Sequence, residues 1–129
     1  MRISPEELIE RAMEARERAY APYSRFRVGA AVLTGGGNCY TGCNVENTSY
    51  GLTCCAERVA VFGGVAAGER EFVAIALVGD TEECLTPCGA CRQVLVEFNP
   101  EMLVIMADRA GRYRTRLARE LLPGAFTLE

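Results

Sequence analysis

The sequence predicts a three-layer α/β/α sandwich built on a mixed five-stranded sheet that begins with one antiparallel hairpin. Two nearly uninterrupted apolar runs, 72–79 and 102–107, are typical of strands buried on both faces. Stretches of helical periodicity separate the strand patterns, which favours a largely parallel sheet with helices on both faces. A glycine-rich turn at 35–37 joins two short strand patterns and predicts the hairpin. The length of 129 residues fits a single domain over residues 1–129.

The first residues of the chain predict the start of a helix. Ser4 is a suitable N-cap, Pro5 suits the first helical position, and Glu7 would complete a capping box. An apolar stripe of helical period follows and ends before Pro22. The later elements are, in order, strands at 28–33 and 39–43, a helix at about 54–67, a strand at 72–79, a helix at about 88–98, a strand at 102–107, an edge strand at 112–115 and a short helix at 117–122.

The composition excludes several kinds of chemistry. The chain has no histidine and no lysine, and arginine provides all 14 of its basic side chains. Ser-His-Asp and Cys-His catalysis, histidine metal ligands and lysine Schiff bases are therefore ruled out. Acid–base chemistry near neutral pH must fall to a carboxylate, a cysteine or a tyrosine.

Charge and hydropathy indicate the partners and the location of the protein. The net charge of −3 lacks the basic surplus that binds nucleic acid, and the arginines between 109 and 119 are interpreted as a solvated face. No apolar run reaches the roughly 20 residues that span a bilayer. The acidic N-terminal segment does not resemble a signal peptide. We therefore expect a cytoplasmic protein that binds neither nucleic acid nor membrane.

Cysteine spacing gives the strongest signal of chemistry. The seven cysteines are an odd number, which argues against a disulfide framework and favours free thiols or metal ligands. Cys88 and Cys91, at a predicted strand-to-helix junction, can chelate one metal ion from the first turn of a helix. Cys55, at the start of the preceding helix, would complete a three-thiolate site. Three protein ligands leave one tetrahedral position open, as in catalytic rather than structural zinc sites.

Two other interpretations of these cysteines stay open. A C-x-x-C pair beside a βα unit also occurs as a thioredoxin-like redox pair. Adding Cys54 would make a closed four-cysteine structural site, although adjacent side chains diverge by about 100° on a helix. The remaining cysteines are interpreted as small buried hydrophobic side chains, at Cys39, Cys43 and Cys84.

Five segments of the chain resemble the zinc-dependent cytidine deaminases, and more narrowly their small homotetrameric members. The C-A-E motif at 55–57 followed by P-C-x-x-C at 87–91 matches the zinc signature of the superfamily, in its three-cysteine variant. The Asn-Val-Glu-Asn segment at 44–47 is similar to members that act on free nucleosides. The similarity covers essentially the whole chain, in the segments 23–31, 42–47, 55–58, 87–93 and 121–126.

The resemblance implies a cofactor and a reaction. One Zn²⁺ per subunit would be held by Cys55, Cys88 and Cys91. Glu57 would carry protons from water to N3 of the ring and to the departing amine, and Arg58 would donate hydrogen bonds to a ligand sulfur. The reaction would hydrolyse cytidine and 2′-deoxycytidine to uridine and 2′-deoxyuridine plus ammonia, as in pyrimidine salvage.

The same resemblance implies how the nucleoside is bound. Asn44 and Glu46, which alternate along an extended segment and therefore share a face, would bind the ribose hydroxyls. Phe26 would stack near the pyrimidine, and Ala56 would offer its backbone beside the base. Without the resemblance, Asn44 would be interpreted as a turn-forming residue and Glu46 as a solvated surface residue. Phe26 would be interpreted as a core aromatic.

The resemblance also implies an assembly. Tyr50 and Phe126 would close the site of a neighbouring subunit in a homotetramer of dihedral symmetry. Taken alone, Phe126 would be interpreted as a core aromatic. Cys54, directly before a metal ligand, and Cys84, four residues before another, depart from the family pattern and could compete for the metal. Two other functions stay open, a deaminase of a modified or antibiotic cytosine nucleoside and a zinc-stabilised binding module without activity.

Overall fold

Helices and strands alternate along the chain in the computed structural model, which describes residues 3–128. None of the helices in this part of the chain is both long and apolar enough to cross a bilayer. The elements, in order, are α1 Pro5–Arg16, β1 Val28–Thr34, β2 Cys39–Cys43, a 3₁₀ turn Tyr50–Leu52, α2 Ala56–Ala66, β3 Phe72–Gly79, α3 Gly89–Phe98, β4 Leu103–Ala107, β5 Tyr113–Leu117 and a 3₁₀ turn Ala118–Leu121.

Five strands form one mixed sheet in the order β2-β1-β3-β4-β5. The β1–β2 hairpin is antiparallel, as predicted, and β1–β3 and β4–β5 are antiparallel as well. Only β3 and β4 pair in parallel, joined by α3. The mixed sheet is therefore confirmed, but the expectation that it is largely parallel is wrong. The pattern of strands alternating with helices did not reveal that β3 returns antiparallel to β1, across α2.

Helices cover both faces of the sheet, so the three-layer sandwich is confirmed. On one face α1 packs over small strand residues, among them Ala31, Ala74 and Ala76. On the other face α2 and α3 cover larger strand residues such as Ile75 and Leu77. Successive residues of β3 thus belong to opposite cores, as the two-residue period of a strand requires.

Two glycines allow the helices to lie close to the sheet. A Cβ on Gly29 of β1 would lie 1.9 Å from the Ala12 carbonyl oxygen of α1. A Cβ on Gly42 of β2 would lie 2.5 Å from the Ala60 amide nitrogen of α2. Neither position can carry a side chain without moving the backbone of the helix above it.

The helix ends differ from the predictions for identifiable reasons. The Ser4 hydroxyl accepts the Glu7 N–H at 3.1 Å, but the Glu7 carboxylate pairs with Arg11, so only half of the predicted capping box forms. Helix α1 ends at Arg16, well before Pro22, because the Tyr20 backbone pairs instead with the strand-like segment around residue 45. The predicted last helix is a single 3₁₀ turn.

Candidate metal centre and active site

Two helix starts bring the three predicted metal ligands together. Cys55 is the N-cap of α2 and Cys88 the N-cap of α3, each with an extended backbone. Both helices therefore begin one or two residues later than predicted. Cys91 lies in the first turn of α3 and is fully buried. The three Sγ atoms lie within 4.8 Å of one another.

The spacing of the sulfurs fits zinc. Tetrahedral zinc holds thiolates at about 2.3 Å, which places two such sulfurs about 3.8 Å apart. The Cys55 and Cys88 sulfurs are 3.7 Å apart. Within residues 3–128 this is the one cluster of three or more Cys, Asp or Glu side chains with converging ligand atoms. The described residues thus offer three thiols to a metal ion and leave the fourth tetrahedral position of zinc to another ligand.

Cys54 lies outside this cluster, so a closed four-cysteine site is wrong. Its backbone N–H and C=O both pair with those of Val45, at 2.9 Å each. Cys84 also lies outside the cluster, and its thiol faces the Arg112 carbonyl at 3.8 Å. Cys39, Cys43 and Cys84 are half-buried rather than buried as expected. The Cys43 thiol donates to the Arg18 carbonyl at 3.4 Å.

Hydrogen bonds within the cluster favour the thiolate form of Cys55. Hydrogen bonds from the Cys91 thiol, the Arg58 guanidinium and the Cys88 thiol lower the pKa of Cys55 to about 5, against the effect of burial. Arg58 Nη2 donates to the Cys55 sulfur at 3.2 Å. The thiol that donates to Cys55 resists deprotonation, so the pKa of Cys91 is raised, and burial adds to this rise.

Glu57 is buried beside the thiols, with only 4% of its surface exposed. Burial raises the pKa of its carboxyl group to about 7, and the nearby Cys55 thiolate adds to the rise. The ion pairs among residues 3–128 do not include Glu57. The group is therefore a carboxyl that can exchange a proton near neutral pH.

Asn44 and Glu46 both hold the segment that leads into β1. The Asn44 side chain donates to the Phe26 carbonyl at 2.9 Å and accepts the Val28 N–H at 2.8 Å. Glu46 accepts the Ser24 N–H at 3.1 Å and the Ser24 hydroxyl, and these bonds lower the pKa of its carboxyl group. Both side chains thus contact the segment at 23–28.

A cleft of about 290 Å³ opens beside Glu46. It is lined by residues of the segment between α1 and β1 and of the loop between β2 and α2, namely Tyr23, Ser24, Glu46, Asn47, Tyr50 and Thr53. Tyr50 is 78% exposed on its outer wall. The Ala56 methyl group is fully buried directly after the ligand Cys55.

Phe26 and Phe126 lie in different surroundings. Phe26 is half-buried against Gly79, at the end of β3. Phe126 is 71% exposed, which makes its interpretation as a core aromatic wrong. Its carbonyl accepts the Gln93 side-chain N–H at 3.1 Å, which holds the C-terminal segment against α3.

Two supporting residues were not identified from the sequence. Arg92 donates to the Pro87 carbonyl at 2.8 Å and to the Leu121 carbonyl at 2.9 Å, so it ties the loop before Cys88 to the C-terminal segment. Asp80 binds Arg27, next to Phe26. The sequence features that could have identified them are the position of Arg92 directly after the P-C-x-x-C motif and the position of Asp80 directly after a buried strand.

The fold and the site together define a zinc protein of the α/β class with a buried carboxyl group beside its thiolates. Residues 3–107 match the family model of the cytidine and deoxycytidylate deaminase zinc-binding region. The chain belongs to this family of zinc-dependent deaminases.

Relatives and solved structures agree with the family. A cytidine deaminase of Halalkalibacterium halodurans is 52% identical over 123 residues, 95% of this chain and 93% of that protein. One of Sporosarcina psychrophila is 50% identical over 125 residues, 96% of this chain and 92% of that protein. The crystal structure of cytidine deaminase from Burkholderia pseudomallei has a TM-score of 0.90 and 55% identity, covering 92% of this chain and 96% of that one.

Proposed function

We propose that this chain hydrolyses cytidine and 2′-deoxycytidine to uridine and 2′-deoxyuridine, with release of ammonia. The observation that carries the proposal is the buried Glu57 carboxyl group beside three converging thiols. A buried carboxyl group without an ionic partner among the described residues destabilises the fold, so a role in proton transfer accounts for its position. The relatives named cytidine deaminases support the same substrate.

Glu57 moves the protons of the reaction. A zinc ion held by the three thiolates supplies Lewis acidity, which makes water a nucleophile near neutral pH. Glu57 accepts a proton from the attacking water and delivers it to N3 of the pyrimidine. It then takes the proton of the new hydroxyl group on C4 and passes it to the amino group, so that the C4–N bond breaks and the C4 carbonyl forms. One water is consumed and one ammonia is released, so Glu57 ends in its starting state.

Arg58 and the two helix starts reduce the negative charge of the thiolates. Three thiolates and one divalent cation have a net charge of −1, which opposes the ionisation of water. The Arg58 guanidinium, 3.2 Å from the Cys55 sulfur, withdraws part of this charge. Cys55 and Cys88 are N-caps, where free N–H groups and the helix dipole favour negative charge.

Asn44 and Glu46 bind the ribose hydroxyls with the hydrogen-bonding capacity that remains to them. Asn44 uses one of its two N–H donors and one of its two acceptor sites on the segment at 26–28. Glu46 accepts three hydrogen bonds from residues 23 and 24, out of about four acceptor sites on a carboxylate. Phe26 stacks near the base, and Ala56 presents its backbone beside it.

The active assembly is a homotetramer, in which residues 1–129 of each chain form one domain. Tyr50 and Phe126 close the site of a neighbouring subunit, which accounts for aromatic rings that are 78% and 71% exposed in one chain. The protein acts in the cytoplasm in pyrimidine salvage. Its partners are the nucleoside and other copies of itself, and neither nucleic acid nor membrane.

The test follows ultraviolet absorbance after the zinc-loaded protein is mixed with cytidine, with free cytosine in parallel. We expect cytidine to be converted and cytosine to stay unchanged, because cytosine lacks the ribose that Asn44 and Glu46 bind. If neither changes at one zinc per chain, the proposal is wrong. Turnover of a modified cytosine nucleoside would then identify a different deaminase, and no turnover would identify a zinc-stabilised binding module.

A further inference from the structure

The end of β3 contacts the segment that carries Phe26. Strand β3 ends at Gly79, which pairs with Val28 at the start of β1. The next residue, Asp80, donates its backbone N–H to the Arg27 carbonyl at 3.1 Å. The pairing between the strands therefore continues one residue beyond β3 and brings residues 79 and 80 against residues 26 and 27.

The Asp80 side chain holds Arg27 by both its backbone and its guanidinium group. Oδ2 accepts the Arg27 N–H at 3.2 Å and Nε at 2.9 Å, and Oδ1 accepts Nη2 at 3.3 Å. Arg16 Nε lies 3.7 Å from Oδ1 on the other side. The Asp80 side chain is only 15% exposed, so this forked ion pair is partly shielded from water.

The Phe26 ring lies against the bare backbone of Gly79. A Cβ built on Gly79 would lie 3.0 Å from Phe26 Cζ and 3.1 Å from Leu85 Cδ2. Both distances are shorter than ordinary contacts, so a methyl group would displace one of these side chains by a few tenths of an ångström. The φ of Gly79 is not positive, and an alanine would therefore fit the backbone of the strand.

The backbone of Phe26 is held by two hydrogen bonds to side chains. The Ser24 hydroxyl oxygen accepts the Phe26 N–H at 3.0 Å, and the Asn44 side chain donates to the Phe26 carbonyl at 2.9 Å. Both backbone polar groups of Phe26 are therefore satisfied within this segment. With the backbone fixed, the depth of the ring depends on what lies beneath it, and that is Gly79.

We propose that Gly79 and Asp80 are positioning residues of the nucleoside site. Gly79 sets the depth at which the Phe26 ring lies, and Asp80 fixes the adjacent backbone through Arg27. This inference rests on the proposed function, because it takes Phe26 as the ring that faces the pyrimidine. A displaced ring stacks less well on the base, whereas the thiols and Glu57 stay in place. The effect therefore falls on KM rather than on kcat.

The first experiment compares Gly79→Ala with a matched control, Gly36→Ala. The control methyl group would meet only Thr34 Oγ1, at an ordinary 3.9 Å, in the hairpin turn. We expect Gly79→Ala to raise KM for cytidine about tenfold at nearly unchanged kcat and one zinc per chain, because small misplacements in a site weaken binding strongly. Crystal structures of both variants would show the Phe26 ring displaced in Gly79→Ala alone.

Two results would overturn the role of Gly79. An unchanged KM would show that the ring position does not matter. A loss of zinc with Phe26 in place would show that Leu85 moved instead and disturbed the loop before Cys88. If the wild-type protein leaves cytidine unchanged, the proposed function fails by itself. The ring position in the two crystal structures then decides the inference, and an unmoved ring contradicts it.

The second experiment tests Asp80 with a graded pair of variants. Asp80→Ala removes both carboxylate oxygens that accept from Arg27 and leaves only Glu17, which accepts from Nη1 at 3.1 Å. Asp80→Asn retains one side-chain oxygen for the Arg27 N–H. We expect KM to rise about tenfold in Asp80→Ala and about threefold in Asp80→Asn, with zinc content and kcat retained. Lower thermal stability with an unchanged KM in both variants would show a merely structural role and overturn this part of the proposal.

Discussion

The three zinc-ligand sulfurs converge within 4.8 Å inside one chain, whereas Tyr50 and Phe126 leave 78% and 71% of their surfaces in solvent. The sulfurs are placed by local structure, since two are helix N-caps and the third lies one turn further along. The two aromatic rings project from a 3₁₀ turn and from the C-terminal segment, and no described element covers them. The three thiols therefore converge within one chain, whereas the proposed role of the two exposed rings, at the site of a neighbouring subunit, needs a second copy.

The largest expected effect follows from removing one metal ligand. Cys91→Ser replaces a buried thiolate by a poor zinc ligand in the first turn of α3. We expect loss of bound zinc and of all measurable deamination, determined by metal analysis and by the absorbance of cytidine. Cys54→Ser is the matched control and should retain both, because its sulfur lies outside the cluster. Zinc loss in the control alone would move the metal site to Cys54.

The next effect tests the proposed role of Phe126 at the site of a neighbouring subunit. Phe126→Ala should raise KM for cytidine about tenfold and leave the zinc content and the thermal midpoint nearly unchanged, because the ring is mostly exposed in one chain. Leu128→Ala, at another exposed apolar position nearby, is the control. Equal losses of activity and stability in Phe126→Ala would instead show that the ring supports the fold.

A smaller effect tests the charge on the thiolates. Arg58→Gln removes the cation that lies 3.2 Å from the Cys55 sulfur, so ionisation of water in the site becomes harder. We expect kcat to fall about fivefold and the rise of activity with pH to move to higher pH. Arg114→Gln, on the exposed edge strand, should do neither. An unmoved pH profile in Arg58→Gln would remove this role.

The smallest effect concerns stability. Arg27 holds the pKa of Asp80 below its ordinary value of 3.8. The ion pair therefore stabilises the fold above that value, and its contribution is lost as the pH falls through the lower pKa of the folded state. Asp80→Asn should cost about 1 kcal/mol at pH 7, and the difference from wild type should shrink below pH 3.8 in parallel urea titrations. A constant difference would show that the charge of Asp80 is irrelevant to it.

The difference between local structure and long-range contacts also separates the features that the sequence predicts from those that it does not. Cys55, Cys88 and Cys91 were recognisable because each occupies a fixed position relative to a helix start. The β1–β2 hairpin and β3 were recognisable because hydrophobic runs and glycine turns are local patterns. The antiparallel return of β3 and the early end of α1 were not, because contacts between residues distant in sequence decide them.

The supporting residues Asp80 and Arg92 could not be predicted from the sequence for the same reason. From the sequence alone, Asp80 would be interpreted as a loop carboxylate. The strand order places it against Arg27, which is 53 positions away. From the sequence alone, Arg92 would be interpreted as a surface arginine. The fold brings together its two carbonyl partners, at residues 87 and 121. Such residues carry no motif of their own, since their partners are set by tertiary structure.

The most direct test of proton transfer by Glu57 measures cytidine turnover by Glu57→Gln at a verified zinc content of one per chain. Glutamine keeps the size and most of the polarity of the side chain but cannot transfer a proton. We expect full zinc binding and a turnover reduced by at least about 1,000-fold. Turnover near that of the wild-type protein, with zinc in place, would show that the buried carboxyl group is not the proton shuttle and would contradict the account.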